Sequence, residues 1–340
     1  MFRRHRVATL AAIAATAALA LAGCSSSSGS DSSTAPASDS SGSFPVTVQS
    51  ALGDVTIESA PERIVTLGWG SNDALLSMGI APVGMAKQSY GGDENGVLPW
   101  TQEAIDSLGA AEPTMITESD EPAYEEIQAL KPDLILAVYS GLTQDQYDLL
   151  SQIAPTVAYP DAPWSTPWRD VVTTVGKAVG QEQKAADVLS SIDDEITTVA
   201  SENPQFEGKS VAAAADFAGT FYGYSPSDPR VGFLNDLGFT NPQSVTDAST
   251  DGSFFFQLSN EKLDSLTSDV LVYYADSQES YDAWLATPAA QTMQQVKDGT
   301  VAPLIGTQLV ASVSPPTALS LTWGLADTVK ALDAAVANVK

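Results

Sequence analysis

WRDVVTTVGKAVGQEQKAADVLSSIDDEITTVASEN, residues 168–203, is the stretch around which the chain is organised. Beyond Gly180, apolar side chains fall at Ala185, Val188, Leu189, Ile192, Ile196 and Val199, the spacing of one helical face. Before it, Val172, Val175 and Val179 make a shorter run of the same kind, so Gly176 and Gly180 are the places for a bend or break. Asn203-Pro204 stops the helix, because a residue before proline is pushed out of the helical region. The segment lies near the middle of the chain, between halves of similar grammar. A long helix so placed is either a hinge or a strut.

Residues 44–167 form the first half. A hairpin is expected around Leu52-Gly53-Asp54, then a buried strand over 61–67, the loop Gly68-Trp69-Gly70-Ser71-Asn72-Asp73 and a helix to Met78. Helices over 124–130 and 144–153 alternate with strands over 134–138 and 156–159. Residues 204–340 repeat the pattern: a strand over 210–215, an aromatic loop, a helix over 231–237, a helix over 261–266 leading to a strand over 270–274, a strand over 301–305 and a final helix from Pro316. Such alternation predicts α/β architecture with mostly parallel sheets. Two stretches align without a gap: Glu125-Glu126-Ile127-Gln128-Ala129-Leu130-Lys131-Pro132-Asp133-Leu134 and Glu261-Lys262-Leu263-Asp264-Ser265-Leu266-Thr267-Ser268-Asp269-Val270. Each opens a helix on Glu and places Asp just before a strand. We therefore expect two related Rossmann-like lobes bridged by one long α-helix over 168–203, with a ligand cleft where the carboxyl ends of the two sheets face each other.

The amino terminus reads as an export signal over 1–23: Arg3, Arg4 and Arg6, then an Ala-rich apolar run ending in Leu21-Ala22-Gly23-Cys24. Leu-Ala-Gly-Cys resembles the lipobox of bacterial lipoproteins, which implies acylation of Cys24, the sole cysteine, and cleavage before it. More than one acyl chain is enough for stable anchoring. The Ser-rich segment over 24–43 is expected to be a flexible tether. Removing the leader takes three of the fifteen Lys and Arg but none of the 42 acids, leaving a formal charge of −30. It also takes His5, the only histidine. A mature chain without His or a free Cys lacks the parts of a Ser-His-Asp or Cys-His triad and the usual ligands of zinc and copper. Its charge argues against nucleic acid as a partner.

Enzyme motifs are absent where they come closest. Gly223-Tyr224-Ser225-Pro226-Ser227 lacks the last glycine of a nucleophile elbow, and Met85-Ala86 follow Gly84 where a P-loop needs Lys and Ser or Thr. A carboxylate-pair hydrolase is the rival that spacing leaves open in so acidic a chain. A surface adhesion or sensor protein is a third class.

Pro61-Glu62-Arg63-Ile64-Val65, Ala129-Leu130-Lys131-Pro132-Asp133-Leu134-Ile135 and Leu258-Ser259-Asn260-Glu261-Lys262-Leu263, in this order with the lipobox, resemble the substrate-binding lipoproteins of iron–siderophore ABC importers. The resemblance covers essentially everything beyond the tether. It implies the helical-backbone periplasmic-binding-protein fold, capture of a ferric siderophore, delivery to an ABC permease, and no catalysis. The iron is held by the chelator, so no cofactor is expected; a haem or cobalamin ligand is the alternative within the family. It further implies a monomer, lipid-anchored on the outer face of the cell membrane, with Glu125 and Glu261 docking onto arginines of the permease. For the cleft, Trp69, Tyr90, Tyr139, Trp164, Tyr222 and Tyr224 are candidates, since flat amphipathic rings pack a bulky chelate at low entropic cost. Trp69 and Tyr139 lead because both follow strands. Of the mature chain's three arginines, Arg63 reads as structural, Arg169 as ambiguous, and Arg230, at a helix start beside the aromatic loop, as the ligand-binding cation. As a strut, the bridging helix should permit only small lobe motions.

Overall fold

The computed structural model describes residues 42–117, 119–250 and 252–340, so Cys24 and nearly all of the tether lie outside the described residues. An antiparallel hairpin of β1 (Val46–Val48) and β2 (Val55–Ile57) precedes the first five-stranded sheet. That sheet contains β3 (Ile64–Thr66), β4 (Gly84–Ala86), β5 (Thr114–Ile116), β6 (Leu134–Leu136) and β7 (Thr156–Val157) in the order β5-β4-β3-β6-β7, all pairs parallel. Helices cover both faces, which is why β3, β4 and β6 are buried at every position and read as unbroken runs rather than alternations. The connecting helices are α1 (Ser71–Ser77), α2 (Pro99–Leu108), α3 (Tyr124–Ala129) and α4 (Gln144–Leu150).

The segment 168–203 is two helices rather than one. α5 (Trp168–Ala178) ends where Gly180 takes a left-handed φ of 65°, and α6 (Glu182–Glu202) starts in a new direction. Gln181 N donates to Gly176 O at 2.7 Å, closing the corner. Gly176 lets the helices meet: a Cβ there would come within 2.4 Å of the Ala185 Cβ. α5 packs against α1 and β1 of the first lobe, so α6, with 21 residues and a length of ~30 Å, is the bridge. Arg169 on α5 ties the corner together, pairing with Asp193 of α6 at 2.5 Å and Asp236 at 2.9 Å.

The second sheet contains β8 (Val211–Phe217), β9 (Thr220–Tyr224), β10 (Phe255–Leu258), β11 (Val270–Ala275) and β12 (Val301–Ile305), in the order β10-β9-β8-β11-β12. β8, β11 and β12 are parallel, whereas β9 runs antiparallel to both its neighbours. What reads in sequence as an aromatic loop is therefore β9. Ala218 (φ 52°) and Gly219 (φ 82°) make the two-residue turn that reverses the chain, and Asp216 Oδ1 accepts from Gly219 N at 2.8 Å. The helices here are α7 (Pro229–Asp236), α8 (Gln243–Ala248), α9 (Gln278–Leu285), α10 (Gln294–Asp298), α11 (Thr307–Val313) and α12 (Ser320–Val336). Asn260–Ser265 is a 3₁₀ turn rather than an α-helix.

The aligned aspartates do matching work. Asp133 accepts from Glu62 N and Arg63 N, each at 2.8 Å, bracing the entry to β3 beside β6. Asp269 accepts from Ser210 N at 2.7 Å, bracing the entry to β8 beside β11. One apolar core runs from Val48 and Leu136 through Trp168, Val175, Ile192 and Ile196 to Phe233, Tyr274 and Leu325, so the lobes share it through the α5–α6 corner.

A buried carboxylate seals the seam. Asp73 on α1 accepts from Trp100 Nε1 at 2.8 Å, Thr101 Oγ1 at 3.0 Å, Asn72 Nδ2 at 2.9 Å, and from Thr317 Oγ1 in the segment joining α11 to α12. Burial pushes its pKa up to about 6, against the pull of the Thr317, Thr101 and Trp100 hydrogen bonds. Because the folded value lies above the unfolded one, this group's contribution to stability is complete below the unfolded pKa and is lost as pH rises through about 6. Asp73→Asn removes that dependence. Denaturant unfolding at about pH 7 and about pH 5 should show the wild type gaining about 1 kcal/mol relative to the variant at the lower pH.

Candidate ligand-binding cleft

Two adjoining cavities of about 760 and 680 Å³ open at the carboxyl ends of the central strands, and Tyr90 lines both. The larger is walled mainly by the second lobe: the β8–β9 turn, the aromatic faces of β9 and β10, the end of β11 and the start of α7. First-lobe loops line the smaller one, including Lys87, Gln88, Asp120, Gly141 and Trp164. The Tyr90 hydroxyl donates to Asp276 Oδ1 at 2.6 Å, which joins the lobes across the cleft.

Arg230 is held from three sides. Asp228 is the N-cap of α7 and Pro229 its first residue, a pairing that leaves the orphan amide of Arg230 to be capped. Asp228 accepts from Arg230 N at 2.8 Å and from its Nη1 at 2.6 Å. Arg230 Nε donates to Ser314 Oγ at 2.6 Å, and the guanidinium lies 4.2 Å from the centroid of the Tyr224 ring. Side-chain exposure is 12% for Arg230 and 1% for Asp228, so the pair is largely withdrawn from water. Burial pushes the Asp228 carboxyl up while the guanidinium pulls it back; both its oxygens accept hydrogen bonds, the arrangement of an ionised cap.

Tyr224 packs edge-on against Tyr274 at 5.8 Å, and Tyr222 against Phe255 at 5.6 Å. Burial raises the phenol pKa of Tyr90, Tyr224 and Tyr274, and that of Tyr139 to about 12, so these rings are neutral near pH 7. They offer aromatic faces and hydroxyls, not phenolates.

Two aromatics stand out into solvent. Trp164, 41% exposed, takes a left-handed φ of 56°, and its ring covers Gly141, where a Cβ would come within 2.2 Å of Nε1. Phe217, 52% exposed, sits beside the β8–β9 turn with its ring 5.8 Å from Tyr222. Trp69 and Tyr139, the leading candidates by sequence, do not line the large cavities. Trp69 Nε1 donates to Pro315 O at 3.1 Å, and both rings border a void of only about 10 Å³ against the 315–318 segment. They follow strands as expected, but the second lobe covers them. Tyr90, Trp164, Tyr222, Tyr224 and Arg230 do face the cavities. Sequence reasoning missed Phe217, Phe255, Tyr274, Asp276 and Asp228. The Ser227-Asp228-Pro229 capping signature and the Phe254-Phe255-Phe256 run were the available signals.

Glu125, in the first turn of α3, and Glu261, in the Asn260–Ser265 turn, are both exposed, and their carboxylates make no hydrogen bond or ion pair with the described residues. The neighbouring Glu126 is occupied, accepting from Thr117 N at 3.1 Å.

The family profile described as "Periplasmic binding protein" matches residues 64–304. The chain is 29% identical over 276 residues to a probable siderophore-binding lipoprotein, YfiY, of Bacillus subtilis, covering 77% of this chain and 81% of the relative. It is 27% identical to the Fe(3+)-citrate-binding protein YfmC of the same organism, covering 73% and 75%. Among solved structures, PiaA of Streptococcus pneumoniae in complex with ferrichrome is 33% identical with a TM-score of 0.78, covering 87% of this chain and all of that one.

The Tyr90–Asp276 bond is the direct polar tie across the cleft that a single substitution removes. Tyr90→Phe should speed amide hydrogen exchange in the segments flanking residues 90 and 276 by several-fold, corresponding to roughly 1 kcal/mol for a half-exposed hydrogen bond. Unchanged exchange would show that the lobes are held by the seam alone.

Proposed function

We propose that this chain, which belongs to the periplasmic binding protein family, captures a ferric siderophore between its lobes and hands it to an ABC permease at the outer face of the cell membrane. The observation that carries this reading is the larger cavity, about 760 Å³, walled by aromatic rings around a guanidinium already fixed in place. That volume suits a chelate-sized ligand, and a pre-set cation with neutral phenols binds ligand oxygens without reorganising. The named relatives, described by siderophore, ferric citrate and ferrichrome, support the same class. The chelator holds the iron, and the protein supplies no cofactor and no catalysis.

In this reading the leader over 1–23 is removed, Cys24 is acylated, and residues 24–43 let the monomeric body reach the permease. Residues 44–167 with α5 form the first lobe and 204–340 the second, with α6 bridging them. Trp164, Tyr90, Tyr222, Tyr224 and Arg230 contact the chelate, while Trp69 and Tyr139 support the cleft floor from the seam. Glu125 and Glu261, exposed and unengaged, dock onto permease arginines. In the first turn of α3 the Glu125 carboxylate is favoured electrostatically, and two exposed acidic knobs give a two-point contact.

Intrinsic fluorescence of the full chain in mild detergent, titrated with a panel of ferric siderophores, haem and cobalamin, tests the first part. Saturable quenching by a ferric siderophore is expected; silence across the panel would sink the reading. For the second part, Glu125→Lys with Glu261→Lys should abolish uptake by cells while chelate affinity changes less than about twofold, since exposed, solvent-screened charges outside the cavity lining contribute little to binding. Lost affinity in that variant would place the two residues in the cleft instead.

A further inference from the structure

The described residues that line the two cavities carry a particular charge balance. Two are cationic, Lys87 and Arg230, and three are carboxylates, Asp120, Asp216 and Asp276. Arg230 does not count as a free positive charge, because Asp228 lies directly behind it at 2.6 Å and is itself almost wholly buried. The pair presents the cleft with a neutral, strongly polar face: guanidinium N–H groups facing ligand, with the compensating charge a few ångströms deeper. The body around it has a large excess of acids, so its far field also repels anions.

We infer that Asp228 sets ligand charge: by neutralising Arg230, it makes the cleft select uncharged ferric chelates, of the trishydroxamate class, and reject polyanionic catecholate or carboxylate chelates. This rests on the siderophore reading above and narrows it. A trishydroxamate cancels the charge of ferric iron and presents hydroxamate oxygens, which accept from a guanidinium without bringing net charge into the site. A tris-catecholate complex is a trianion. Burying it needs surplus positive charge nearby, because a desolvated charge without a partner is costly. Here the cavities offer carboxylates in excess. Asp228 is thus a specificity-determining residue that need not touch the ligand. Its side-chain contact to Arg230 N, capping α7, explains its position, whereas the second contact, to Arg230 Nη1, is the one that tunes charge.

The test compares ferrichrome, an uncharged trishydroxamate, with ferric enterobactin, a trianionic tris-catecholate, by fluorescence titration of the full chain in mild detergent at low salt. The wild type should prefer ferrichrome by about a hundredfold or more, in keeping with the size of charge-mismatch effects at buried sites. Asp228→Asn keeps the cap and the shape but leaves Arg230 with its full charge; the preference should fall by about tenfold, mainly through a gain for the trianion. Because an uncompensated buried guanidinium endangers folding, Asp120→Asn serves as a second variant, on the exposed wall of the smaller cavity. It should move the preference in the same direction by a smaller factor. A wild type that binds the trianion as tightly as ferrichrome overturns the inference while leaving the siderophore reading intact. A preference unchanged in both variants does the same. If neither chelate binds, the siderophore reading falls and this inference falls with it.

Discussion

One buried carboxylate holds the molecule in its two-lobed shape. Asp73 gathers Trp100 and Thr101 from α2 and Thr317 from the far lobe onto a single side chain of α1. Leaving any of those donors unmet in the interior would cost on the order of 1–3 kcal/mol. The segment after Thr317 starts α12, and the one before it carries Pro315, to which Trp69 donates, and Ser314, to which Arg230 donates. The position of the cavity-facing guanidinium is therefore coupled, through a few residues of backbone, to the seam that fixes the lobes. With the core continuous through the α5–α6 corner, this arrangement opposes the wide closure that hinged binding proteins undergo.

Much of this was legible in the sequence because it rests on local rules. The aligned segments ending at Asp133 and Asp269 were readable, since a carboxylate just before a strand satisfies the backbone of the neighbouring strand's entry, and both lobes need that brace. The break at Gly180 was also marked, although only the packing of α5 against α1 and β1 reveals that α5 belongs with the first lobe. β9 was not legible. Phe221-Tyr222-Gly223-Tyr224 holds a glycine where a strand usually carries a side chain, and the glycine is there because Phe256 fills that space: a Cβ would come within 2.3 Å of its ring.

The site was readable in residue type more than in position. Strand ends pointed correctly to where the cleft would be, yet Trp69 and Tyr139, both after strands, lie beneath the 315–318 segment of the other lobe. No periodicity in the first lobe encodes what the second lobe lays over it. Conversely, Tyr222, Tyr224 and Phe255 face the cavity because β9 reverses direction, a feature set by a two-residue turn around Ala218-Gly219.

That reversal is also where the two lobes stop being copies. β3 and β6 correspond to β8 and β11 in sheet position and in their bracing aspartates, but β4 and β5 are parallel where β9 and β10 are antiparallel. A parallel connection needs a crossover helix, whereas a hairpin needs two residues. The hairpin therefore brings a dense row of aromatic side chains to one wall and frees the chain to start α7 directly beneath it, with Asp228 as cap and Arg230 in its first turn. The first lobe, whose five-stranded sheet is built with helical crossovers, contributes loops and one exposed indole, Trp164. The asymmetry of the cleft, aromatic and guanidinium-bearing on one side and loop-lined on the other, follows from that single change of strand direction.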